Sequence, residues 1–322
     1  MIVRFRRGLV ATTLAVPLIL LPVADAGADP VLIQTKPVPL DAFDPAIRRV
    51  GRLEYRGGLQ LSSSDNRFGG LSGLLVSADG QRLTAISDRG YWIGAVLRYD
   101  ENGALAGIDK ATITELRDAG GGSLARSPDG DAEGLAHAEG GSLVLSFEMR
   151  PKLLVYPRKG GRPVRLDSPP GLKDAAENQG IEALTRLADG RLLALTEGLE
   201  TEGGVVGWIG GNRKSWSRVT WLTSGGFQPT GAATLRCGDV LVLERRILPP
   251  GARVRRLEAS LIAGDAVLDG AEIARFEGTL TFDNMEGIDA RDDAGESLVY
   301  LVSDDNYSFL QRTLLLMFRI AH

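Results

Sequence analysis

Along the chain, apolar residues gather in short runs of roughly 5–8 positions separated by turns rich in Gly and Asp, and no stretch keeps the period of an amphipathic helix. The pattern predicts an all-β protein. Five segments repeat one another: LSGLLVSADGQRLTAISDRG from Leu71, AEGLAHAEGGSLVLSFEMR from Ala132, IEALTRLADGRLLALTEG from Ile181, PTGAATLRCGDVLVLERR from Pro229 and MEGIDARDDAGESLVYLVSDDN from Met285. Each opens on a small or apolar strand, turns on Asp and Gly, and returns in a more apolar strand ending on Asp or Glu, as a β-hairpin does.

Further strand-like runs lie between the copies, at Trp92 to Tyr99, Lys152 to Tyr156, Val205 to Ile209, Val219 to Leu222, Val254 to Leu261 and Ala271 to Phe276. Each unit therefore holds about four strands. The opening positions 72, 133, 182, 230 and 286 recur at intervals of 61, 49, 48 and 56 residues, the size of a propeller blade. A five-bladed β-propeller follows, with six blades as the alternative if a longer interval merges two. The last unit has its hairpin and one more strand, Thr313 to Ile320, while Val50 to Leu61 is strand-like with no hairpin of its own. That N-terminal strand is expected to complete the last blade and remove the ring's open seam.

In a propeller the first strand of each blade lines the axis and the second returns beside it, so both ends of a hairpin reach one mouth. Symmetry about each turn pairs Ser72 with Asp88, Glu133 with Glu148, Glu182 with Glu197, Thr230 with Glu244 and Glu286 with Asp304. Eight of these ten positions are acids. Like charges crowded at a mouth demand a cation, basic partners or protonation. Oxygen ligands without His or Cys favour Ca²⁺. The candidate metal ligands are Glu133, Glu182, Glu286, Glu197, Glu244 and Asp283. Glu182, Glu148, Asp88 and Asp304 are the candidate catalytic acids. Arg89, Arg150 and Arg245 stand beside closing acids as forks for an anionic substrate, with Asn306 as a further substrate contact. Asp131, Asn178 and Asn284 flank the same hairpin ends, and Arg246, Arg312 and Lys173 lie on neighbouring loops.

Composition narrows the chemistry. With 43% hydrophobic residues and a net charge of −4, the chain is neither disordered nor basic enough to suggest a nucleic-acid partner. Cys237 is the single cysteine, which excludes an internal disulfide and a paired-cysteine zinc site. His137 and His322 are the only histidines, and no G-x-S-x-G elbow occurs, so a serine triad has little to work with. His137 falls on an inner strand and is expected to pack there.

Residues 1–28 read as a secretory signal: Arg4, Arg6 and Arg7, an apolar run from Leu9 to Val23 interrupted by Pro17 and Pro22, then small residues. No later stretch approaches the roughly 20 residues of a membrane span. The expectation is a periplasmic or secreted protein, with residues 29–322 forming one propeller domain.

Several motifs in order carry a family likeness: FGGLSGL with SDRG, DAEGLA with SFE, NQGIEAL with LTEG, LVLERR, and DNMEGID with LVSDDN and QRTLLLMF. Together they resemble the phytase-like family of exported bacterial proteins described as having esterase-like activity, from about Phe68 to Phe318. The resemblance implies a propeller with acidic channel-mouth residues carrying any activity. Ser72 and Thr230 depart from the acidic opening position. The leading expectation is a Ca²⁺-dependent hydrolase of phosphate esters or other esters, taking a small anionic or ester substrate. A non-catalytic binding propeller with a structural cation is the alternative, as is a glycosidase, although Trp92, Trp208, Trp216 and Trp221 fall mostly between hairpins.

Overall fold

The structure is a computed structural model and describes residues 28–157, 162–176, 179–211 and 214–321. The segment expected to be a secretory signal, apart from residue 28, and Asn178 lie outside the described residues.

Alternating apolar residues and Gly-containing turns fold the chain into five antiparallel sheets around one axis. The first runs outward from Leu71–Val76 through Arg82–Ser87, Tyr91–Tyr99 and Leu105–Glu115, with Asp29–Pro30 on its outer edge. The second contains Ala132–His137, Leu143–Phe147, Lys152–Tyr156 and Val164–Leu166. Ile181–Arg186, Leu192–Thr201, Gly204–Gly211 and Lys214–Leu222 form the third, where Val267–Leu268 adds in parallel. The fourth is Gln228–Thr234, Val240–Arg246, Gly251–Leu257 and Ala271–Phe276. In the fifth, Asn284–Asp293, Glu296–Asp304 and Thr313–Ile320 are followed by Leu53–Ser62 and Gln34–Pro37. Each innermost strand contacts the next, and that of the fifth blade meets that of the first. The count is five blades, not six.

The N-terminal strand does complete the last blade, with Leu61 opposite Thr313 and Leu53 opposite Ile320. Five apolar cores fill the five gaps between adjacent blades. Phe147 and Ile86 belong to the core between the first two blades, for instance, and Trp221 and Val242 to that between the third and fourth. Burying these faces against neighbouring sheets is what holds the blades upright around the axis.

The register differs from simple hairpin symmetry. Every innermost strand carries a β-bulge at the same place, between Leu71 and Gly73, between Ala132 and Leu135, between Ile181 and Ala183, between Pro229 and Gly231, and between Met285 and Gly287. The inserted residue re-aims a side chain out of the ladder. Ser72, Glu133, Glu182, Thr230 and Glu286 thereby converge on the axis. Glycine follows four of them, because the strands come too close there for a side chain. A Cβ at Gly134 would lie 2.8 Å from Leu184 Cβ, and one at Gly231 would lie 2.7 Å from the Glu286 carbonyl oxygen. Leu74, Leu135, Leu184, Ala232 and Ile288 come next along the strands. Only about 10 Å³ remains among these axial side chains, room for about one water, so the axis is sealed.

Candidate functional site

The bulges reset which residues face one another at the mouth. Asp88 bonds back to Gly70, Glu148 to Asp131 and Glu197 to Gly180, while Arg245 pairs with Gln228 and Asp304 with Asn284. The fourth-blade counterpart of Asp88, Glu148, Glu197 and Asp304 is therefore Arg245, not Glu244. The ten hairpin-end positions thus carry seven carboxylates and one guanidinium instead of eight acids.

Glu244 sits opposite Pro229, one step inside the blade, and is fully buried. Arg253 and Arg255 pair with it and the Trp221 indole donates to it at 2.7 Å. This corrects its proposed role as a metal ligand: its charge is spent on packing blade four against blade three. Arg245 corrects the expectation of a substrate fork in the same way. It donates to Glu197 at 2.8 Å, to Asn284 at 2.5 Å and to Glu286. Arg150 points outward to Asp129 at 2.8 Å with 68% of its side chain exposed, so it stands outside the mouth. Asp283 pairs with Arg312 at 3.3 Å. Asn306 is exposed, and its backbone N–H caps Asp304 at 2.7 Å. His137 is exposed at the opposite end of its strand rather than packed. Lys173 is also exposed.

Arg245 divides the mouth electrically. On its side Glu197 and Glu286 are compensated. On the other, Asp131, Glu133 and Glu148 bring carboxylate oxygens within 4.8 Å of one another. Lys152 is close, but its ammonium donates to the Asp129 carbonyl at 2.6 Å and carboxylate at 3.4 Å. At such separations each ionised pair costs about 3–4 kcal/mol for an effective dielectric constant of about 20. The acids respond by holding protons. Burial, then Glu182 and Asp131, pushes Glu133 well above the usual carboxylate range. Burial followed by Glu197 and Glu286 does the same to Glu182, and burial raises Glu148 and Asp131. Burial brings Glu286 to about 8, with Arg245 opposing, Asp88 to about 7 with help from Asp304 and Asp131, and Asp304 to about 6.

Among the described residues, three buried oxygens of the mouth strands and their flanks have no hydrogen-bond partner: Asp88 Oδ1, Gln228 Oε1 and Glu286 Oε2. Of these, Asp88 Oδ1 shares a cavity wall with Asp131, and an unmet acceptor beside a carboxylate triad fits a hard cation, which needs oxygen ligands and neutralises charge. Beside the triad opens a cavity of ≈ 600 Å³ into which Asp88, Arg89, Asp131 and Met149 project together with Asn66 and Arg126. Arg89 lies over the Tyr307 ring, 3.3 Å from its centroid, and Arg126 donates to Asn66 at 2.6 Å. Arg89 and Asp88, adjacent in the sequence, line one cavity, while nothing in the sequence pattern singles out Arg126 or Tyr307. Arg126 stands in a loop between two units, with nothing in the repeat to mark it. Asp131, which the sequence offers as a further oxygen beside a hairpin end, stands opposite Glu148 because of a bulge that leaves no trace in hairpin symmetry.

Solved structures match the chain at low identity. A gluconolactonase from Xanthomonas campestris is 15% identical with TM-score 0.45, the alignment covering 92% of this chain and 99% of that one. Virginiamycin B lyase from Staphylococcus aureus is 11% identical with TM-score 0.44, covering 89% and 99%. The Malassezia sympodialis allergen Mala s 1 is 13% identical with TM-score 0.48, covering 85% and 90%. Among curated proteins none matches. The family described as "Phytase-like: Esterase-like activity of phytase" matches residues 66–307, a span holding all five innermost strands and every mouth position named above, and the chain belongs to that family.

Proposed function

We propose that the protein is an exported, Ca²⁺-dependent hydrolase of phosphate monoesters or other small esters, working at the acidic mouth. The observation that carries this reading is the uncompensated Asp131, Glu133 and Glu148 triad beside a cavity bearing Arg89 and Arg126. Those three acids are the ligands, with Glu182 next to them as a further oxygen donor. Three carboxylates and no imidazole or thiolate suit Ca²⁺ better than a transition metal. A bound divalent cation supplies charge neutralisation and polarises a phosphoryl or carbonyl oxygen.

The chain's own residues do the remaining work. Arg89 and Arg126 flank the cavity as donors for the substrate's anionic oxygens, and stacking on Tyr307 limits the swing of Arg89. Asp88, poised near neutrality at the cavity wall, accepts a proton from an attacking water or returns one to the leaving oxygen. The sealed axis closes the floor beneath the site, so substrate and product exchange through the mouth.

The test is turnover of p-nitrophenyl phosphate and p-nitrophenyl acetate by the purified protein across a Ca²⁺ titration, with Asp88→Asn and Glu133→Gln as variants. Activity should rise with Ca²⁺ and fall by about 100-fold or more in either variant. Stabilisation by Ca²⁺ with turnover of neither ester would instead identify a non-catalytic propeller holding a structural ion.

A further inference from the structure

The opposite end of the propeller, where the innermost hairpins turn, has the reverse electrical character. It holds a cavity of ≈ 690 Å³, a size suited to a small molecule, with Arg186 and Arg236 on its wall and Thr185 and Thr234 between them. The Nε of Arg186 is buried and has no acceptor among the described residues. The rest of the Arg186 side chain lines the cavity, where its guanidinium can meet an anion. Arg236 is exposed and makes no ion pair among the described residues. Arg291, the third arginine on the wall, is already committed to the Tyr300 hydroxyl at 3.1 Å and to Asp293 at 3.1 Å.

We propose that this cavity is a second binding site, for a small organic monocarboxylate whose carboxylate is held by Arg186 and Arg236 while its apolar body rests on the wall formed by Ala136, Ala232 and Leu235. Two acid side chains on the wall, Asp292 and, once ionised, Asp289, set negative charge against a second anionic group on the ligand. Asp289 accepts the Val76 N–H at 2.6 Å and Asp292 accepts the Ser297 hydroxyl at 2.9 Å, so both hold their places on the wall. A dianion would meet them; a single carboxylate facing the two arginines is matched by their fork geometry. The layer of Leu74, Leu135, Leu184, Ala232 and Ile288 seals the axis between the two ends, so this ligand is not a substrate on its way to the acidic mouth.

Benzoate and its uncharged analogue methyl benzoate are the probes, with binding to the whole protein followed by calorimetry and thermal shift. Benzoate should bind once per chain with a Kd of about 1 mM or tighter, and methyl benzoate should not. Arg186→Gln should weaken binding at least about tenfold, and Arg236→Gln, an exposed change with little risk to folding, should weaken it in the same direction. Glu133→Gln, at the other end, should leave benzoate binding unchanged. Equal binding of benzoate to the wild type and both arginine variants overturns the proposal, as does loss of binding in Glu133→Gln or absence of binding at about 10 mM.

Discussion

Arg245 satisfies acceptors from two neighbouring blades at once, and removing it shows what a lone cation is worth at an acidic mouth. Arg245→Met leaves Glu197 and Glu286 facing each other with no cation between them, and breaking a buried pair from one side typically costs about 3–5 kcal/mol. Urea denaturation without added metal should record a loss of that order. Glu133 has the opposite sign. Glu133→Gln removes a carboxyl that the metal-free mouth keeps only by taking up a proton, so in EDTA at neutral pH the variant should melt higher than the wild type, while added Ca²⁺ should stabilise it less. A variant that loses stability in EDTA and keeps its full response to Ca²⁺ would remove Glu133 from the ligand set. Asp289, at the far end, gives a pH test away from the triad. Burial lifts it to about 7 against an ordinary 3.8, so the native state keeps a proton that the unfolded chain releases in between. Its contribution is therefore full below about pH 4 and lost as pH rises through 7. Asp289→Asn should flatten that part of the stability curve between about pH 4 and 8, and an unchanged slope would show that the carboxyl is not titrating there.

At the scale of the strand, the bulge followed by glycine is the device that builds the mouth. Gly231→Ala places a methyl 2.7 Å from a backbone oxygen and should cost about 1–3 kcal/mol in urea denaturation, although the third blade carries Ala183 at the same step. Indifference to this change would mean the inner strands can spread. Much of this was legible beforehand: the repeat located all five innermost strands, and Lys152–Tyr156, Ala271–Phe276 and Thr313–Ile320 fall where their apolar runs place them. Leu105–Glu115 was missed because Asp109 and Lys110 interrupt its alternation, the latter at a φ of 48°. Val254 to Leu261 was drawn too long, since Ala259–Leu261 is a 3-10 turn. The off-by-one assignment of Glu244 has a single cause. Hairpin symmetry counts equal residues on both arms, whereas each bulge adds one to the inner arm, and in the LERR run that step decides between an acid and an arginine.

The whole molecule couples an acidic, cation-seeking end to an arginine-bearing end through a closed apolar layer. If each end binds its own ligand, Ca²⁺ and benzoate should raise stability additively, because neither reaches the other's groups. Ca²⁺ at about 100 times its Kd should add about 2.7 kcal/mol, and EDTA should abolish that increment while sparing the one from benzoate. Joint loss of both on chelation would show that the ends act as one site. The seam where the ring joins has a consequence for how the chain is made. Arg319 pairs with Glu54 across 265 residues of sequence, so Leu53–Ser62 leaves the ribosome long before its partner exists. A contact order this high slows folding and leaves a bare strand edge on the nascent chain. The fifth blade, and with it the ring, cannot close until synthesis is nearly finished.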